Sequence, residues 1–150
     1  MSNLVIKVAD LPEEFPAIAA IRKAVFQEEQ GVNPALDFDG KDEISQHLIA
    51  YLAQKAVGTT RIRYLDHKTA KIERLAVLST ARGQGIGKKI MIKALEIIAN
   101  KNIPEVVIYA QEYIKVLYQK LDFVEEGQIF EEAGITHVIM RKISTYRRMN

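Results

Sequence analysis

Apolar and polar side chains alternate at the start of the chain, where Leu4, Ile6 and Val8 stand against Val5 and Lys7, and this period of two predicts a short strand. The strand ends at Asp10-Leu11-Pro12, and a helix is expected from there. Asp10 is placed to accept from the first free N–H groups, Glu13 completes a capping-box spacing, and Pro12 suits a first turn. Ile18, Ile21 and Val25 then recur at helical spacing, with Phe15 and Phe26 widening the apolar face, until the pattern fades near Gln30-Gly31. Residues 31–45 hold Asn33, Pro34, Gly40 and an acidic run, Asp37, Asp39, Asp42 and Glu43, with no sustained period. A long functional or mobile loop is the expectation.

His47–Ala53, Val57–Leu65 and Ala70–Val77 read as three more strands, separated by Lys55-Ala56 and by Asp66-His67-Lys68. Links this short force antiparallel neighbours. After Val77 the period changes. A glycine-rich loop leads into a helix with Ile90, Met91, Ala94, Leu95, Ile97 and Ile98 inward, then into an apolar strand, Val106–Ala110, which is a crossover to a parallel neighbour. A second helix over about Glu112–Leu121, a strand Phe123–Glu126, a turn around Glu132-Gly134 and a strand Ile135–Lys142 complete the chain. The predicted class is α+β, with a mixed, mostly antiparallel sheet and one parallel pair.

Composition narrows the function. At 150 residues with no linker or repeat, residues 1–150 are expected to form a single domain, and 48% apolar with 27% charged side chains is a globular balance. A net charge of +2 is too small to drive phosphate-backbone binding, so no nucleic-acid partner is expected. Arg141, Lys142, Arg147 and Arg148 read as a solvated basic tail, an RNA-contacting one being the less favoured reading. The absence of cysteine removes disulfides, thiolate metal sites and cysteine nucleophiles, and His47, His67 and His137 are too scattered to suggest a metal. No apolar run approaches the roughly 18 residues of a membrane span, so a cytoplasmic location without membrane attachment is expected.

The sharpest chemical signal is Arg82-Gly83-Gln84-Gly85-Ile86-Gly87, between a strand end and a helix start, followed by Lys88 and Lys89. Free N–H groups and the positive end of a helix dipole grip phosphate there, and glycines let the backbone approach, so a nucleotide-like diphosphate is the natural ligand. A P-loop is excluded, because Arg82 stands where its leading glycine belongs and Lys89 where its Ser or Thr belongs. The dinucleotide fingerprint also fails, since the glycines are spaced by two and an antiparallel meander precedes them.

Arg82-x-x-Gly85-x-Gly87, after the strand Ile72-Glu73-Arg74-Leu75-Ala76-Val77, resembles the acetyl-CoA motif of the GNAT N-acetyltransferase superfamily. Leu117-Tyr118-Gln119-Lys120-Leu121-Asp122-Phe123 resembles its second signature, with Asp122 where glycine is usual; Ile114 likewise stands where a smaller residue is usual. Arg22, Val25-Phe26, Glu29-Gln30, the acidic run and His47-Leu48, then Ala110-Gln111 and Gly134-Ile135-x-His137-x-x-Met140, are similar to the ElaA-like branch.

The resemblance implies the acyl-CoA N-acyltransferase fold, with helices on both faces and the parallel pair splayed into a cleft for the pantetheine arm. It also implies acetyl-CoA as co-substrate, held by Leu75, Ala76, Val77, Arg82, Gly83, Gln84, Gly85, Ile86, Gly87, Lys88 and Gln111. Tyr118 is the implied proton donor to the leaving thiolate, with the Val77 N–H as donor to the thioester carbonyl. Glu73 is the candidate base, alone or through water, with Glu29 and His137 as further base candidates and substrate-binding positions. The acceptor is a small-molecule or peptide amine. A non-catalytic acyl-CoA sensor of the same fold is the competing reading, and a homodimer is an expected assembly.

Overall fold

A computed structural model describes residues 3–127 and 129–143 of the chain; Arg147 and Arg148 of the expected basic tail lie outside them. Strands β2 (Gln46–Leu52), β3 (Lys55–Tyr64) and β4 (Thr69–Val77) form the antiparallel meander that their short links require, and β1 (Leu4–Val8) pairs antiparallel with β2 across a long helical connection. The crossover helix α3 (Ile86–Asn100) then brings β5 (Glu105–Gln111) parallel to β4. β8 (Ile135–Ile143) pairs antiparallel with β5, and β6 (Val124–Glu125) and β7 (Phe130–Glu132) pair with β8. The strand order is β1-β2-β3-β4-β5-β8-β6, a mixed sheet of the predicted class. β7 is an addition, since only a turn was read there.

The alternation in β2 shows how the layers form. Leu48 and Ala50 face one core, with Ile90, Met91, Ala94 and Ile98 of α3, whereas Ile49 between them faces Ile18 of α1 (Phe15–Arg22). Helices therefore cover both faces. α3 lies so close to β3 that a Cβ at Gly58 would sit 2.8 Å from Ile90 Cδ1, so any side chain there requires the end of Ile90 to move.

Several local expectations are corrected. The first helix starts at Phe15, and Asp10 caps nothing: its own N–H donates to Glu14 Oε1 at 2.7 Å, while its carboxylate pairs with Lys7 at 3.1 Å. That helix continues as a π-helix over Lys23–Glu29, a widening with no signature in the apolar spacing. The β2–β3 turn is Ala53-Gln54, not Lys55-Ala56, with φ of 50° and 69° supplied by residues that seldom adopt them. The helix read over Glu112–Leu121 is a 3-10 turn followed by α4 (Lys115–Gln119). Asp122 has φ 71°, so the departure from glycine falls on a residue type whose short polar side chain tolerates the left-handed region. Arg141 and Lys142 are not a solvated tail: both lie in β8, where Arg141 pairs with Glu105 at 2.9 Å and Glu126 at 3.0 Å.

Candidate active site

The cleft begins where β4 and β5 part. Their parallel ladder holds only three residue pairs, Thr69 with Glu105, Ala70 with Val106 and Lys71 with Val107, although both strands continue. β4 is bent away by a bulge. On β3 only Thr60 lies between the partners of Ala76 and Glu73, whereas β4 carries both Arg74 and Leu75, with Arg74 at φ 59°. A left-handed arginine costs about 1–2 kcal/mol, and here its side chain secures it by donating to the Asp37 carbonyl at 3.2 Å and the Leu36 carbonyl at 3.0 Å. The result is a cleft of about 830 Å³ bounded by both arms and by the end of the first helix. Leu75, Ala76, Val77 and Gln111 line it.

At one end of the cleft is the start of α3. Gly83 and Gly85 have φ of 84° and 76°, and nothing stands within 4 Å of where a Cβ would lie at either. Gly85 is the helix N-cap and offers no side chain to the helix N–H groups; those of Ile86, Gly87 and Lys88 have no acceptor among the described residues, the first being formed by Lys89 onto the Gly85 carbonyl at 3.1 Å. Gly87 has only ordinary contact with Val77, 3.8 Å from a would-be Cβ, so internal packing does not require a glycine there. The exposed Lys88 and Lys89 have no ion-pair partner among the described residues. Three free donors, a dipole and two unpaired ammoniums fit a diphosphate.

Arg82 is committed elsewhere. It forms a two-point ion pair with Glu29 at 2.5 and 2.6 Å and donates to the Val77 carbonyl at 2.9 Å, which ties the π-helix end to the end of β4. This pair lowers the pKa of Glu29 and makes it a poor base. Gln84 donates to the Ala81 carbonyl at 3.2 Å, bracing the loop. Across the mouth, Gln30 and Gln111 exchange amide hydrogen bonds of 3.3 and 3.0 Å.

Tyr118 lines the cleft from α4, packed edge-on against Phe123 at 6.1 Å. It is buried, and its hydroxyl has no hydrogen-bond partner among the described residues. Burial raises its pKa, so the phenol keeps its proton at neutral pH.

The other end is crowded with charge. Asp37, Asp39 and Asp42 of the acidic run are ion-paired, because this stretch folds over the β3–β4 ribbon. Asp37 receives Arg22 at 3.0 Å and Asp42 receives it at 2.7 Å, with Arg22 fully buried. Arg61, also fully buried, pairs with Asp39 at 2.9 Å, Asp42 at 3.0 Å and Glu73. Arg63 and Lys71 reach Glu73 at 2.6 and 3.3 Å, and Arg74 reaches Asp39 at 3.2 Å. Glu73 is the position this most changes. Although burial alone would raise its pKa, the surrounding cations Arg63, Arg61 and Lys71 hold it at about 2. A carboxylate so stabilised is a weak proton acceptor, and Glu73, the expected base, is tied into the cluster by three cations. His137 is buried beside β5, opposite Gln111, with its Nδ1 2.7 Å from the Ile135 carbonyl and its ring stacked on Phe130 at 5.7 Å.

Sequence reasoning passed over Arg63, Lys71 and Tyr109, which complete this end. A signal was present: Arg61, Arg63, Lys71 and Glu73 alternate on one face of a hairpin whose other face is apolar. Four charged side chains on the face that a helix must cover predict an ion cluster.

The model of an acetyltransferase (GNAT) domain matches residues 14–144. Protein YyaT of Bacillus subtilis (strain 168) is 39% identical over 125 residues, 81% of this chain and 84% of that protein. Protein ElaA of Escherichia coli (strain K12) is 30% identical over 132 residues, 84% of this chain and 85% of its own. The crystal structure of Escherichia coli ElaA superposes with a TM-score of 0.81 at 26% identity, covering 95% of this chain and 99% of that one. A GNAT family acetyltransferase from Elizabethkingia anophelis, solved with acetyl-CoA bound, shares the fold with a TM-score of 0.74 at 16% identity, covering 95% and 99%.

Proposed function

The chain belongs to the GNAT acetyltransferase family, in its ElaA-like part, and on that premise we propose that it is an acetyl-CoA-dependent N-acetyltransferase acting on a primary amine. The observation that carries this reading is the splayed β4–β5 cleft, with a free-donor helix terminus at one end and the buried, protonated Tyr118 along its wall. When bound, acetyl-CoA supplies the acetyl group as a thioester. The N–H groups of Ile86, Gly87 and Lys88, with the Lys88 ammonium, would hold its diphosphate, and Leu75, Ala76 and Val77 would line its arm. Arg82 acts one step removed: locked to Glu29 and the Val77 carbonyl, it fixes the geometry of the loop.

Tyr118 holds a proton at Oη for the departing sulfur. The burial that weakens the phenol as an acid equally disfavours a thiolate, so the proton difference between them stays small. With Glu73 and Glu29 held as ion-paired carboxylates, the acceptor ammonium is left to lose its proton to solvent or to His137.

The test is Tyr118→Phe. Turnover at neutral pH should fall about 10²- to 10⁴-fold, with acetyl-CoA affinity by calorimetry and melting temperature close to wild type. Equal turnover in the variant would remove Tyr118 from the reaction, and a wild type that binds acetyl-CoA without releasing thiol toward any amine would favour the sensor reading.

A further inference from the structure

The charged end of the cleft carries one more cation than it can neutralise. Five arginine and lysine side chains join four carboxylates in one connected network, and the shortfall is not evenly spread. Arg22, Arg61 and Arg74 each reach two or more carboxylates. Arg63 and Lys71 have, among the described residues, only Glu73, which Arg61 already shares.

Geometry places this deficit at the cleft wall. Arg63 and Lys71 are cross-strand partners, and their side chains meet at one carboxylate oxygen: Arg63 Nη2 is 3.5 Å and Lys71 Nζ 3.3 Å from Glu73 Oε1. Glu73 occupies the Nε and Nη2 edge of the guanidinium, so Arg63 Nη1 donates to nothing among the described residues. The Lys71 ammonium also lies 3.6 Å above the Tyr109 ring, a weak substitute for an anion. Both side chains line the cleft and are largely out of water, at 20% and 12% exposure. Glu132, exposed on β7, faces the ammonium without forming an ion pair. Burial lowers the pKa of Lys71 despite its neighbour Glu73, as an under-compensated cation requires.

We propose that Arg63 and Lys71 form a subsite for an anionic oxygen group, a carboxylate or phosphate, on the acceptor that delivers its amine to the cleft. This rests on the acetyltransferase reading and names the class of acceptor. Lys71 and Leu75 are four positions apart on β4, a span that the bulge at Arg74 keeps below the roughly 13 Å of a fully extended strand, so the acceptor's anion and amine are separated by several bonds. An anion between two partly desolvated cations gains charge-assisted hydrogen bonds and completes the neutralisation of the network.

Three amines with one carbon chain test it: hexylamine, ε-aminocaproate and aminohexyl phosphate. Each is titrated calorimetrically into the protein and assayed with acetyl-CoA by thiol release. The expected result is about ten- to hundredfold tighter binding and higher kcat/KM for an anionic chain over hexylamine, with the better of the two identifying carboxylate or phosphate. In Lys71→Met, whose network is charge-balanced, that preference should collapse toward one; acetyl-CoA affinity and a cooperative melt verify the fold. Arg63→Gln is the second variant should the first fail to fold. Hexylamine binding and reacting as well as either anion would overturn the subsite while leaving acetyl transfer standing. Lysine-dependent binding of ε-aminocaproate with no thiol released would do the reverse, keeping the subsite and sinking the transferase reading.

Discussion

The two ends of the cleft hold charge in opposite ways. At the start of α3 the positive potential comes from backbone: free N–H groups, a helix dipole and glycines that keep side chains away, with Lys88 and Lys89 exposed and without an ion-pair partner among the described residues. At the far end it comes from side chains that are buried and bound to carboxylates of the 37–42 stretch and of β4. The first arrangement costs little to fold and is ready for a ligand. The second must offset a large desolvation penalty by mutual pairing, so it defines the loop over the sheet before it serves any ligand.

If that contrast is right, the far end fails first and hardest when a partner is removed. Arg61→Met takes one cation from Asp39, Asp42 and Glu73 at once, and should lower stability by about 3–5 kcal/mol, read as a fall in melting temperature. The cradle breaks differently. Gly85→Glu sets a carboxylate where three N–H groups expect an anion. Its backbone strain should cost only about 1–2 kcal/mol of stability, whereas coenzyme A affinity by calorimetry should drop at least about a hundredfold, some 2.7 kcal/mol. Gly85→Asn separates the effects, since it tolerates the φ of 76° and adds no charge.

Acid sharpens the comparison next. Glu73 titrates near 2 in the folded chain against 4.5 ordinarily, and Asp39 and Asp42 are lowered too. A lowered folded pKa contributes stability that is complete above the ordinary value and is lost as pH falls through the folded one. Melting temperature should therefore hold down to about pH 5 and decline between about 4.5 and 2, with a shallower decline in Arg61→Met. The smallest effect is expected at Asp122→Gly. It relieves the φ of 71° on an exposed side chain, and should change stability by no more than about 1 kcal/mol, toward greater stability.

The same contrast explains what was legible in the sequence. Gly83, Gly85 and Gly87 lie within five positions of each other, and their chemistry is local, so the cradle could be read directly. Period-two and helical spacing likewise yielded the meander, α3 and the parallel β5. The ion cluster joins Arg22 to Asp37 and Arg61 to Asp39, contacts of high sequence separation that no local pattern encodes, so the acidic run read as a loop and Glu73 as a candidate base. The bulge at Arg74 was hidden for a related reason: an arginine at positive φ is chosen by its bonds to the Asp37 and Leu36 carbonyls, not by its propensity. The π-turns ending at Glu29 also follow from tertiary context, through the Arg82 pair and the Gln30–Gln111 exchange.

The most direct measurement is a crystal structure with coenzyme A. The account predicts the diphosphate on the N–H groups of residues 86–88, the pantetheine arm between β4 and β5, and the sulfur within hydrogen-bonding reach of Tyr118 Oη. Diphosphate density at any other surface, or a sulfur remote from that hydroxyl, would contradict it.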